Sequence, residues 1–217
     1  RYMKVKLGFG VRDDICVMQA IQKAIDPAEI TLMVDSNHAY GRSEALYLGQ
    51  ALADMHLRWY EEPVAPEDYE GYADLRRRLP MAIAGGENEH SLYGFNALFE
   101  GACVDIAQPD IGSCGGFTAA RHITALAQAK GVEINPHVWG SAVAQAASLH
   151  LIAALPNTHH SLFARQPILE YDQSSHPFRR ELTRHPIQMQ DGFVQINDAP
   201  GLGIEIRKDT LAHYRIN

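Results

Sequence analysis

Asp35, Glu61 and Glu87 recur at intervals of 26 residues. Three carboxylates at matched positions, with no cysteine or histidine in register, form a hard, oxygen-only donor set. Such a set suits Mg²⁺, with calcium or manganese as second choices. A single acid of this kind is as readily an ordinary surface residue of a loop. Three at one spacing, two of them in "VDSNHAY" and "AGGENEH" without basic neighbours, point instead to a shared site. Glu61 is followed directly by Glu62, and successive strand residues face opposite ways. Only one of the pair can enter the site while the strand lasts, which leaves the other as a structural partner for an arginine or lysine.

Three further features carry ionisable groups. In "KVK", period-two alternation puts Lys4 and Lys6 on one face, where each lowers the pKa of the other and leaves one able to act as a base. In "NPHVWG" His137 ends one β-rich run and Asp110 ends the run before it. Neighbouring strands would set the carboxylate beside the imidazole, fixing its tautomer and raising its basicity. A buried, satisfied histidine is the plainer reading. In "PILEYD" Glu170 is either a protonated acid that donates a hydrogen bond or a solvated loop glutamate. "GSCGG" (112–116) lacks both the Walker and the dinucleotide patterns and reads as a tight turn.

These residues need a scaffold that brings strand ends together. Seven β-rich runs alternate with helical stretches: 3–7, 31–36, 57–63, 81–87, 103–110, 132–138 and 161–167. Apolar residues at helical spacing fill 12–25; a helix over 43–54 opens on Ser43 as N-cap; 117–130 stops at Gly131; 141–155 runs into Pro156. This alternation predicts a parallel α/β sheet. Ionisable residues stand at the C-terminal end of nearly every run, and a barrel gathers all such ends at one mouth, so a TIM-type barrel is favoured over a doubly wound sheet. The barrel is expected over 1–172. The irregular 173–217 segment is expected to pack on it or to complete a capping domain.

Composition narrows the class. The 217 residues are 46% hydrophobic, enough for one sizeable core, and no run approaches the roughly 18 apolar residues of a membrane span. A net charge of −7 argues against a nucleic-acid partner. Three dispersed cysteines suggest neither a disulfide framework nor a zinc knuckle, and the expected location is the cytoplasm.

As an ordered set, K-x-K (4–6), D-S-N (35–37), E-E-P (61–63), G-G-E (85–87), the "QPD" to "CGGF" segment and "PHVWG" resemble the mandelate racemase subgroup of the enolase superfamily. The resemblance runs down to "PGLGIEI" (200–206), and within the subgroup it leans toward sugar-acid dehydratases and lactone cycloisomerases. It implies a modified TIM barrel of (β/α)7β type, with Mg²⁺ on Asp35, Glu61 and Glu87, the first glutamate of E-E-P being the ligand. It implies Lys6 as one acid/base and the His137–Asp110 dyad as the other. Lys4 and Asn37 would touch the substrate carboxylate, and Glu170 would donate a hydrogen bond to it. Such proteins carry an N-terminal α+β capping domain and a first barrel strand before K-x-K, so this chain is expected to be part of a longer protein.

The implied reaction is removal of a proton α to a carboxylate through an enediolate, on a sugar acid or aldarolactone. Dehydration, cycloisomerisation and racemisation share that first step. The expected partner is a small anionic carboxylate, and a homo-oligomer is expected. Rival readings are a Schiff-base aldolase using Lys6 and a barrel that binds acids without turnover.

Overall fold

A computed structural model describes residues 1–156 and 168–216 of the chain. Six parallel strands pair in chain order: β1 (Tyr2–Lys6), β2 (Thr31–Asp35), β3 (Trp59–Glu61), β4 (Ala82–Gly85), β5 (Ile106–Ala107) and β6 (Glu133–Ile134). The helices that follow them are α1 (Val11–Ala24), α2 (Arg42–Ala51), α3 (Tyr69–Arg78), α4 (Ser91–Glu100), α5 (Gly116–Lys130) and α6 (Ala142–Ala154). Strictly sequential order means that the winding never reverses, as in a barrel and unlike a doubly wound sheet. The expected run 161–167 lies outside the described residues.

Both faces of the sheet are buried, each by a different partner. Leu32, Val34, Tyr60 and Ile83 share the main core with Met18, Leu48, Leu75, Phe95 and Ile123 of the helices. The alternate residues Met33, Trp59, Ala84 and Ile106 form a separate cluster with Ala82 and Ile168. A second core built from strand residues, with no helix lining it, is the interior of a barrel.

The expected β runs overshoot the observed ladders, at 57–58 and 103–105 on the N-terminal side and more widely at their C-terminal ends, where four of the overshoots have a local cause. Gly86 (φ 113°) terminates β4, and Glu62 (φ 42°) ahead of Pro63 terminates β3. Pro109 and Pro136 bring no N–H with which to extend β5 and β6. Glu87, Asp110 and His137 therefore stand on loops just past the strand ends rather than on the strands.

Helix ends follow local chemistry. Ser141 caps α6 by accepting from the Ala144 N–H at 3.5 Å, and Gly131 (φ 69°) closes α5 as expected. The expected cap at Ser43 is displaced. Gly41 is the N-cap of α2, and the Glu44 carboxylate accepts its N–H at 3.3 Å, while Arg42 is drawn to Asp68 at 2.7 Å. That helix stops at Ala51 and continues as a 3₁₀ turn over Ala53–Met55.

Beyond the barrel strands the chain forms α7 (Pro177–Arg180), the antiparallel hairpin β7 (Met189–Gln190) and β8 (Phe193–Val194), and α8 (Lys208–His213). Asp191 and Gly192 both have positive φ at the hairpin tip, the combination that an Asp-Gly type I′ turn requires. The two short helices were not expected from the irregular sequence. Helix α7 packs against α6. No helix among the described residues is long and apolar enough to cross a membrane.

One buried polar knot fixes the loop that follows β1. Asp14, fully buried near the start of α1, accepts from the N–H groups of Gly8 at 2.8 Å and Phe9 at 3.3 Å, and from the Tyr40 hydroxyl. Tyr40 in turn accepts from Gly10 N–H at 3.1 Å. The knot ties the loop after the K-x-K strand to the loop after β2. Tyr40→Phe would leave the Gly10 donor without this acceptor and is expected to cost about 1–3 kcal/mol. Thermal melting checks this; an unchanged midpoint would mean that the knot contributes nothing to stability.

Candidate active site

The strand register aligns the acids. Lys6 pairs with Asp35 and Asp35 with Glu61, so the C-terminal ends of the first three strands stand side by side. Glu87 enters from the loop after β4, where Gly86 takes φ 113° and a Cβ would crowd the Phe95 ring at 3.0 Å. One oxygen each from Asp35, Glu61 and Glu87 lies within 4.8 Å of the others. Asp35 and Glu61 are fully buried, and Glu87 Oε2 is buried with no hydrogen-bond partner among the described residues. Three converging carboxylates, two of them fully buried, fit a divalent cation of the Mg²⁺ type.

Trp59, two residues before Glu61 and hence on the same strand face, donates its indole N–H to Glu61 Oε2 at 2.8 Å. This contact aims the Glu61 carboxylate, and a buried tryptophan at that spacing was the sequence signal for it. Glu62 turns away from the carboxylate trio. Its carboxylate accepts from Asn88 Nδ2 at 2.7 Å and Asn37 Nδ2 at 3.4 Å, so its partners are amides and not the arginine or lysine that was expected.

Lys4 lies 2.5 Å from Glu61, 2.6 Å from Glu170 and 3.3 Å from Asp35. Burial works against its charge, but Glu61, Glu170 and Asp35 outweigh burial and hold it well above the usual lysine range. The expectation that Lys4 and Lys6 depress one another is thus overturned for Lys4, because carboxylates surround it more closely than the second lysine does. Lys6 is more exposed. It contacts Asp35 and donates to Asn37 Oδ1 at 2.9 Å. Asn37 is anchored by its own N–H to Asp35 at 2.9 Å.

His137 Nδ1 lies 2.8 Å from Asp110 and its Nε2 lies 3.4 Å from Glu87. Burial raises the Asp110 carboxyl, but its hydrogen bonds with His137 and the Gly112 N–H prevail and hold it below the usual range. The carboxylate therefore accepts and Nδ1 carries the proton. Burial opposes charging the imidazole too, but Asp110, Glu87 and Glu170 overcome it and raise the His137 pKa. Glu170 accepts from the Val138 N–H at 2.9 Å as well as meeting Lys4, so both of its oxygens face donors in this arrangement.

All nine residues singled out in the sequence thus fall in one connected cluster at the C-terminal ends of the strands. Trp59, Asn88 and the Asp14–Tyr40 pair are the additions. Asn88 and the Asp14–Tyr40 pair carried no local signal, since their partners are 26 residues away in sequence.

Burial pushes the Glu61 carboxyl up to about 8 in spite of Lys4. A proton held more tightly in the folded chain than in the unfolded one contributes stability that is complete below the ordinary value of 4.5 and is lost as pH rises through about 8. Glu87 is shifted in the same direction, also by burial first. Metal-free protein is therefore expected to melt lower at about pH 9 than at about pH 6, with a larger gain in Tm from Mg²⁺ at the higher pH. A Mg²⁺ gain that is equal at both pH values would contradict this.

The fold and the acids together define a parallel α/β barrel with a cluster of three carboxylates at its mouth that could hold a metal ion. Residues 1–210 match the family described as enolase C-terminal domain-like, and the chain belongs to that family. It is 43% identical over 213 residues to D-galactarolactone cycloisomerase of Agrobacterium fabrum, a match covering 98% of this chain and 56% of the relative. The crystal structure of 3,6-anhydro-D-galactonate cycloisomerase from Zobellia galactanivorans superposes with a TM-score of 0.90 at 42% identity, over 98% of this chain and 58% of that one. L-talarate dehydratase from Polaromonas sp. JS666, solved with Mg and L-glucarate, gives 0.83 at 29% identity, over 97% of this chain and 54% of that one. The chain thus spans about half the length of these relatives.

Proposed function

We propose that the complete protein is a Mg²⁺-dependent lyase or isomerase that removes the proton α to the carboxylate of a sugar acid or aldarolactone. The observation that carries this reading is the disposition of the two proton carriers. Lys6 touches Asp35 and His137 faces Glu87, so they flank the carboxylate trio from opposite ends. Asp35, Glu61 and Glu87 would hold the ion, which when bound supplies the positive charge that makes a weakly acidic α-proton removable.

The chain's own residues do the rest. The Lys4 ammonium, fixed between Glu61 and Glu170, offers a charged donor to the substrate carboxylate, and Asn37 offers an amide beside it. Lys6 takes or returns the proton on one face. His137, oriented by Asp110, serves the other face, either as the partner in proton return or as the acid that protonates a departing β-hydroxyl or acyloxy oxygen. The likeness to a lactone cycloisomerase at 43% identity favours a sugar-acid or aldarolactone substrate over a simple 2-hydroxy acid.

The test uses full-length protein with Mg²⁺ in D₂O and a panel of sugar acids and aldarolactones followed by proton NMR. Loss of one α-proton signal is the expected result; new signals from a 3-deoxy-2-keto product or a rearranged lactone would separate dehydration or cycloisomerisation from epimerisation. Silence across the panel from protein that binds Mg²⁺ would reject the proposed substrate class.

A further inference from the structure

Arg179, in α7, is only 8% exposed, an unusual degree of burial for a guanidinium and one that needs partners to offset its desolvation. Those partners belong to two loops of the mouth. Its Nε donates to the Gly140 carbonyl at 3.2 Å, and its Nη1 meets the Asp172 carboxylate at 2.6 Å and the Asp172 carbonyl at 3.4 Å. Gly140 lies three residues past His137, and Asp172 lies two residues past Glu170. The Val138 N–H to Glu170 bond, at 2.9 Å, joins the same two segments nearer the site.

We propose that Arg179 is a positioning residue for proton transfer at His137, clamping the 137–140 loop to the 170–172 segment from behind. The proposal rests on the enediolate reading above. Asp110 fixes which way the imidazole faces, but it holds only the ring. The backbone of the loop ends at Gly140 with φ 125°, a conformation that glycine adopts at little cost and leaves readily. Arg179 restrains the loop at that residue. Trp139, between the two, sets its ring edge-on to His176 at 6.0 Å and 86°, giving the loop a second contact with the segment that leads into α7.

Lys6 shares none of these contacts. It sits on β1 with Asp35 and Asn37 as its partners, so a fault in the clamp should reach one face of the substrate and spare the other. This asymmetry separates positioning from a general structural role.

The experiment compares full-length wild type, Arg179→Gln and Arg179→Lys in Mg²⁺ and D₂O, using the pair of sugar acids epimeric at C2 that the wild type exchanges. Circular dichroism and Mg²⁺ calorimetry accompany each variant. The expected result for Arg179→Gln is a fall of ~10–100-fold in kcat for exchange on the His137 face, with KM changed less than ~3-fold and the Lys6 face within ~2-fold. Arg179→Lys keeps a charge for Asp172 without the planar fork and is expected to recover part of the loss; should the Gln variant fail to fold, the Lys variant carries the same face comparison. Equal losses on both faces, or none on either, would overturn the positioning role while leaving the enediolate reading intact. A wild type that exchanges no α-proton, or whose exchange survives His137→Asn on both faces, overturns that reading and this role with it.

Discussion

Asp35→Asn and Glu61→Gln are each expected to abolish measurable Mg²⁺ binding in calorimetry and to lower turnover by at least ~10³-fold, equivalent to about 4 kcal/mol at ~1.4 kcal/mol per tenfold. The size follows from where these groups stand. Both carboxylates are fully buried, and no other acid can swing in to replace them without leaving a partner of its own: Glu62 is held by Asn88 and Asn37, and Glu170 by Lys4 and Val138. Glu61→Gln makes a sharper test than loss of activity alone. Both Glu61 oxygens accept, from Lys4 and from the Trp59 indole, so the Gln amide N–H₂ would oppose one of these buried donors and the metal-free variant is expected to melt lower than metal-free wild type at about pH 6. Retention of wild-type Mg²⁺ affinity in either variant would rule out the assigned ligand set.

Lys6→Ala and His137→Asn are expected to remove α-proton exchange from opposite faces, each by ~10²–10⁴-fold, the range of a single acid/base group. The prediction depends on their separation. Lys6 reaches the trio at Asp35 and His137 reaches it at Glu87, and no hydrogen bond links the lysine to the histidine among the described residues. His137→Asn should leave the Lys6 face active and Lys6→Ala the His137 face, with Mg²⁺ binding intact in both. NMR exchange with substrates epimeric at C2 reads the two faces independently. Exchange persisting on both faces in the double variant would remove both residues from the mechanism.

Much of this candidate site was legible in the sequence because its three carboxylates depend on repetition. Each βα unit brings one acid to the same height, so a spacing of 26 residues reported a spatial coincidence. Period two likewise showed that Glu61 and Glu62 could not both point inward; the pairing of Asp35 with Glu61 and the indole bond from Trp59 identify which one does. The partners of Glu62 were not legible. A buried glutamate suggests a cation, but Asn88 and Asn37 reach it from the two adjacent loops, and side-chain amides leave no periodic trace. Strand lengths were overstated because the expected runs were carried on to the ionisable residues that follow the ladder, whereas Pro109, Pro136 and Gly86 decide where hydrogen bonding stops. Nor could the Ser43 cap be excluded in advance, since its displacement by Gly41 depends on Glu44 and on the distant Asp68.

The division between strand ends and loops has a consequence for how such a site can change. Asp35 and Glu61 end strands whose inward neighbours, Met33 and Trp59, belong to the packed interior, so shifting either acid would disturb the barrel itself. His137 and Asp110 stand past proline-terminated strands, on backbone that the ladder no longer constrains. Asp35, Glu61 and Lys6 are therefore welded to the frame, while Glu87, Asp110 and His137 sit on replaceable fittings. Grafting a different loop between β6 and α6 is therefore expected to change α-proton exchange on the His137 face while leaving Mg²⁺ affinity in calorimetry unchanged.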